Sequence, residues 1–201
     1  MKFIAAASLV GTAAAFTSSQ NAGRSVSALN AEKSPAMPFL PYPENLKGYI
    51  GEDIGFDPLG VSNFFPMDYL RESELKHGRI AMVAAVGYAV TDMGLVLHPL
   101  GKGLSSIAAH DALVEKGVMG NALVFIGLAE VVGYLAIAEM LQGSGRAPGD
   151  FQFGAKYLDG KSDAVIAKTK YNEIMNGRLA MLAFSGMVTQ SVMFDKGFPY
   201  V

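Results

Sequence analysis

The sequence predicts an all-α membrane protein with three transmembrane helices, the first and third crossing about a pseudo-two-fold axis and the middle one antiparallel to them. Three observations carry that expectation. The chain is apolar: 51% of its 201 residues are hydrophobic and 17% charged, with a mean hydropathy of +0.29, high for a soluble protein of this size. Three apolar stretches of roughly 17 to 24 residues can each cross a hydrocarbon core of about 30 Å at about 1.5 Å per residue. The first and third stretches open on one shared motif, the mark of an internal duplication. A net charge of −2 without a basic run argues against a nucleic-acid partner. With no cysteine, disulfides, thiolate metal sites and a cysteine nucleophile are excluded.

Residues 1–15 read as a signal peptide, with Lys2 at the start, an apolar run from Phe3 to Val10 and a small-residue cleavage site at Ala13-Ala14-Ala15. Residues 16–30 hold five Ser/Thr, Arg24 and no acid, the composition of a plastid transit peptide. An ordinary secreted protein with a serine-rich start is the alternative for this segment. The mature domain then covers 31–201. Between Ser34 and Pro66 the Pro- and Gly-rich chain predicts a folded-over extended segment. A first helix is expected over about 68–97, ended by His98-Pro99. Leu104 to Lys116 suits a short amphipathic helix at the interface. The second long helix is expected over 118–141, between Gly117 and Gly143, and the third over about 168–194.

The duplication is specific. Glu74-Leu-Lys-His77-Gly78-Arg79-Ile-Ala-Met82 matches Glu173-Ile-Met-Asn176-Gly177-Arg178-Leu-Ala-Met181, with Ala84 and Gly87 answering Ala183 and Gly186 further on. The segments leading into them agree weakly, Asp53-Ile-Gly-Phe56 against Asp150-Phe-Gln-Phe153. Two equivalent helices starting from one face require the middle helix to return the chain, and three spans satisfy that parity. Arg71, Lys76, Arg79, Arg146, Lys156, Lys161, Lys168, Lys170 and Arg178 all fall on the starting side, against Lys102 and Lys116 in the opposite loop. By the positive-inside rule the starting side is the one of insertion, so the N-terminus is expected on the stromal side of a plastid membrane.

Glu74, Arg79, Glu173 and Arg178 stand at or inside apolar helix ends, where a lone charge costs about 2.5 to 3.5 kcal/mol. Glu and Arg five residues apart point about 140° away from each other and do not pair within one helix. Across the repeat they can: Glu74 with Arg178, and Glu173 with Arg79. Gly78 and Gly177, with Gly87 and Gly186 nine residues on, are expected to let the backbones approach. Snorkelling of the charges to the interface is the alternative. Each Glu is followed three residues later, on the same helix face, by His77 or Asn176. Imidazole, amide oxygen and carboxylate all suit a magnesium ion that sits in a macrocycle and lacks one axial ligand, and they are too few for a catalytic cage. His77 taken alone reads as a hydrogen-bonded interfacial histidine.

ESELKHGRIAM and EIMNGRLAM resemble the two signature helices of the light-harvesting chlorophyll-binding antenna family, and GFDPLG at Gly55 to Gly60 resembles its loop before the first helix. The resemblance covers roughly residues 35–195, and the two-part presequence, with Phe16 after the cleavage site, points to the fucoxanthin chlorophyll a/c proteins of diatoms and related algae. It implies that Glu74, His77, Glu173, Asn176 and Gln190 are axial ligands to chlorophyll magnesium, that Arg79 and Arg178 make the crossed pairs, and that Glu130 in the middle helix is a further ligand. His98, His110 and Glu139 are not expected to be ligands. Asp57 and the two pre-helix loops resemble regions that hold carotenoid end groups.

The implied cofactors are chlorophyll a, chlorophyll c, fucoxanthin and related xanthophylls. The implied partners are other antenna subunits in a homo- or hetero-oligomer, a photosystem core and thylakoid lipids. The function expected is light harvesting without enzymatic activity. Two alternatives remain: a photoprotective, energy-dissipating member with Asp92, Asp111, Glu115 and Asp195 as acid-sensing groups, and a small membrane scaffold or transporter that uses Glu130 as a proton-coupled site.

Overall fold

A computed structural model describes residues 32–96 and 98–200. The signal and transit segments expected over 1–30 lie outside them. Among the described residues the protein is helical throughout: α1 (Met67–Asp92), α2 (Ser106–Glu115), α3 (Val118–Leu141), α4 (Ala155–Leu158) and α5 (Asp163–Phe194), with 3-10 turns at Glu44–Leu46, Val61–Asn63 and Pro99–Gly101. Among these described residues, extended pairing is confined to one isolated antiparallel bridge, Lys33 with Pro41.

The segment before α1 is folded over by its own polar side chains. Ser34 Oγ donates to the Gly55 carbonyl at 2.6 Å, Tyr42 Oη to the Glu52 carbonyl at 2.6 Å, and Asn45 Nδ2 to the Ser62 carbonyl at 2.8 Å. Asp57 accepts from the backbone N–H of Val61 and Ser62 at 3.0 Å each. Burial alone would raise the Asp57 pKa, but its bonds from Ser62, Val61 and Gly60 outweigh that and hold it below the usual carboxylate value.

Two boundaries depart from expectation. α1 ends at Asp92, not near residue 97, because Gly94 turns the chain in the left-handed region at φ +92° and Asp92 is engaged elsewhere. Its Oδ1 accepts from Ser106 N–H at 2.6 Å, and Ser106 Oγ donates to the Tyr88 carbonyl at 2.7 Å, so the start of α2 is tied to the end of α1. α5 begins five residues earlier than expected, at Asp163 behind Ser162, which places an acid at its positive end. α2 and α3 fall where the sequence placed them.

Only α3 among the described helices is long and apolar enough to cross a membrane by composition. α1 has 26 residues and α5 has 32, ample length, but both carry charge in their first halves. The small core lies where α1 meets α5: Leu75, Ala81, Ile174 and Ala180 are buried there, while Leu123, Phe125, Leu128, Val132 and Leu135 of α3 stand exposed. Apolar surface on that scale requires hydrocarbon or bound apolar groups around it.

Candidate functional site

Gly78 of α1 and Gly177 of α5 meet backbone to backbone. A Cβ built on either would lie 3.0 Å from the other's Cα, a separation that only glycine permits. On both sides of this point the expected pairs form: Arg178 Nε donates to Glu74 Oε1 at 2.6 Å, and Arg79 Nε to Glu173 Oε1 at 2.7 Å. Gly87 and Gly186 correct the sequence reading, since nothing lies within 4 Å of a Cβ on either. Neither glycine meets the opposing helix, and both leave open space beside them.

Beside each ion pair stands the base three residues on, and the two are held alike. His77 is exposed, and its Nδ1 lies 2.8 Å from the Ser73 carbonyl. A carbonyl only accepts, so Nδ1 carries the hydrogen, and the Nε2 lone pair points away from the helix. Asn176 is exposed too, and its Nδ2 donates to the Asn172 carbonyl at 2.8 Å, which turns Oδ1 outward. Each copy thus pairs a charge-compensated carboxylate with a neutral base whose free lone pair leaves the helix surface. This donor set fits a magnesium ion with one axial vacancy. Among the described residues there is no cluster of three or more His, Cys, Asp or Glu that could hold a metal by itself.

Gln190 is exposed in the last turns of α5, far from the ion pairs. His98 Nδ1 accepts from Leu100 N–H at the turn that follows, and His110 pairs with its neighbour Asp111. Glu130 is flanked in sequence by Leu128, Ala129, Val131 and Val132, yet it is exposed. Its side chain is about half exposed and forms an ion pair with Lys76 of α1.

Two further contacts were not foreseen. Arg71 Nη1 donates to Glu74 Oε2 at 2.8 Å and its Nη2 to the Ile50 carbonyl at 2.6 Å, so Glu74 receives a second guanidinium. Glu72, only 2% exposed, accepts from Arg146 Nη1 and Nη2 at 3.2 Å each and from Gly149 N–H. Gly149 also accepts from Arg79 Nη1 at 2.9 Å, and a Cβ at this left-handed residue would run into Leu75. An Arg three residues before Glu74 was a legible signal for the first contact. Arg146 lies in the Gly-rich loop GSGRAPG, where spacing carries no information on partners.

A model of the Chlorophyll A-B binding protein family matches residues 42–192. The chain is 34% identical to the chloroplastic fucoxanthin-chlorophyll a-c binding protein of Trieres chinensis, over 94% of this chain and 93% of that one. It is 35% identical to the protein of the same name from Chattonella marina var. antiqua, over 72% and 68%. The light-harvesting complex stress-related protein 3.2 of Chlamydomonas reinhardtii is 30% identical, over 75% and 64%. A match that takes in both signature helices, and relatives aligned over nearly the full length, place the chain in the chlorophyll a/b-binding protein family.

Proposed function

We propose that this chain is a light-harvesting antenna protein of the thylakoid membrane that binds chlorophyll a, chlorophyll c and fucoxanthin with related xanthophylls, and passes excitation to a photosystem. One observation carries the reading: the same unit, a compensated carboxylate beside an outward lone pair, occurs twice about the Gly78–Gly177 contact. The names of the relatives support the choice of pigments. The family is one of pigment-binding proteins, not enzymes.

Glu74, His77, Glu173 and Asn176 would hold chlorophyll magnesium near the starting face, Gln190 would do so toward the opposite face, and Glu130 from the middle of α3. Arg79 and Arg178 neutralise the two motif carboxylates, so each can donate one oxygen without leaving a bare charge in apolar surroundings. When bound, the pigments supply absorption, excitation transfer and quenching of triplet states. The chain fixes their spacing and excludes water.

α1, α3 and α5 are the three spans, with α3 antiparallel and α1 related to α5 by a pseudo-two-fold axis. The residues removed on import are 1–30, and the mature N-terminus is stromal. Other antenna subunits and a photosystem core are the partners, with thylakoid lipids covering what pigment does not. Refolding the chain with a chlorophyll and xanthophyll mixture tests this: a coloured complex with chlorophyll c and fucoxanthin bands is expected, and a colourless refolded protein overturns it.

A further inference from the structure

The structure contains a third acid–base pair between helices, and the duplication does not generate it. Lys76 of α1 donates to one carboxylate oxygen of Glu130 on α3. The ammonium rests over Gly133, where a Cβ would stand 3.3 Å from Lys76 Nζ, so the missing side chain makes its seat. Glu130 lies at the middle of α3, about 17 Å from either end at the helical rise, where an unpaired charge is strongly disfavoured.

As a lock between helices the pair is a poor device, because two well-packed apolar side chains would hold α1 to α3 equally well. Nor is the carboxylate sealed into the seam, since its side chain keeps 48% of its exposure and that of Lys76 keeps 33%. On the same face of α3, Ile126 and Tyr134 are exposed, and the space beside Gly127 is open. A carboxylate held on one side, neutralised, and flanked by apolar groups and an open glycine is set to receive a flat ligand with an electrophilic centre.

We propose that Lys76 is a positioning residue for a magnesium tetrapyrrole held by Glu130. It fixes one carboxylate oxygen, cancels the charge, and leaves the other oxygen to serve as axial donor. A lysine suits this task because it binds as a point charge, whereas an arginine fork tends to engage both oxygens. The inference rests on the antenna reading above and assigns a residue outside the two repeated motifs.

The test is refolding of the full chain with pigments, followed by chlorophyll counts per protein and absorption difference spectra. Glu130→Leu is expected to lose one chlorophyll and one absorption band, and Lys76→Met to lose the same band. Combining Lys76→Met with Glu130→Gln is expected to restore that chlorophyll with its band shifted, because a neutral amide oxygen ligates without a compensating charge. A merely structural Lys76 would leave the double variant as depleted as Lys76→Met, which overturns the proposal, as does an unchanged band in Lys76→Met. Should Lys76→Met alone fail to refold, the double variant decides: a full complement supports the proposal and a complement one short overturns it. A full complement in Glu130→Leu overturns it while leaving the antenna reading intact, and a colourless wild type overturns both.

Discussion

Around Glu74 two guanidinium groups converge, Arg178 from across the helix contact and Arg71 from the preceding turn, whereas Glu173 takes its ion pair from Arg79. By the offset that aligns the two motifs, Lys170 stands where a counterpart of Arg71 would be, and Tyr171 where one of Glu72 would be. The lead-in segments differ in the same sense. The one before α1 is held by its own hydrogen bonds, and Arg71 reaches back to the Ile50 carbonyl. The one before α5 is tethered to the other copy: Arg146 and Gly149 N–H converge on buried Glu72, and Arg79 reaches the Gly149 carbonyl. Phe151 covers the Arg146 guanidinium at 4.6 Å, while Phe153 is 96% exposed. Duplication preserved the part that must be symmetric, the contact between two helices, and let the loops find separate anchors. Arg79 therefore bears two duties in a place where Arg178 shares one with Arg71.

The largest effect is expected where the copies are equal. Gly78→Val and Gly177→Val each put a branched side chain against the opposing backbone, separate α1 from α5, and pull both ion pairs apart. Each should cost upwards of about 3 kcal/mol and prevent pigment-stable refolding. Native-gel recovery of the coloured complex reads this, and a wide gap between the two variants would break the symmetry of the contact.

The next effect is expected where the copies differ. Arg79→Leu removes the guanidinium of Glu173 and the donor to the Gly149 carbonyl together, a loss of about 3 kcal/mol. Arg178→Leu leaves Glu74 with Arg71 and should cost about 1 to 2 kcal/mol less. Thermal melting of the refolded complexes, followed by visible circular dichroism, measures the difference. Removing Arg71 as well should bring the Arg178 variant down to the level of Arg79→Leu, and equal melting of the two single variants would show that Arg71 contributes nothing.

The crossed pairs were legible because two copies of one motif leave each charge a single sensible partner. Helix positions followed from the apolar runs, and the end of α1 was misplaced because Val96 extends the hydrophobic run past Gly94, where the backbone has already turned. Glu72–Arg146 and Lys76–Glu130 were illegible for another reason. Each joins a helix to a partner outside the repeat, at a register fixed only once α1, α3 and the loop after α3 are packed. Glu130, read by its sequence neighbours, looked surrounded by apolar groups, but on a helix those neighbours point elsewhere. The orientation of His77 and Asn176 could have been anticipated, since a side chain reaching the carbonyl four residues back is a local habit of helices.

The smallest effect isolates the lead-in of the first copy. Tyr49 Oη donates to Asp68 Oδ1 at 2.6 Å and so pins the segment before α1 to its first turn. Burial, and then the bond to the Asp68 carboxylate, push its pKa up to about 12. An unfolded tyrosine ionises near 10, so below about pH 10 both states keep the proton and the contact contributes fully. As pH rises from about 10 to about 12 the released phenol ionises more readily than the held one, and the contribution is lost. Protease cleavage between Glu44 and Asn63 should therefore rise over that window in the native chain and rise less in Tyr49→Phe. Cleavage between Gly149 and Ser162, where the anchor is Arg146 on Glu72, should not follow the same curve. If both segments loosen together in both proteins, the two lead-ins are not independently anchored, and the asymmetry between the copies reduces to the charges around Glu74.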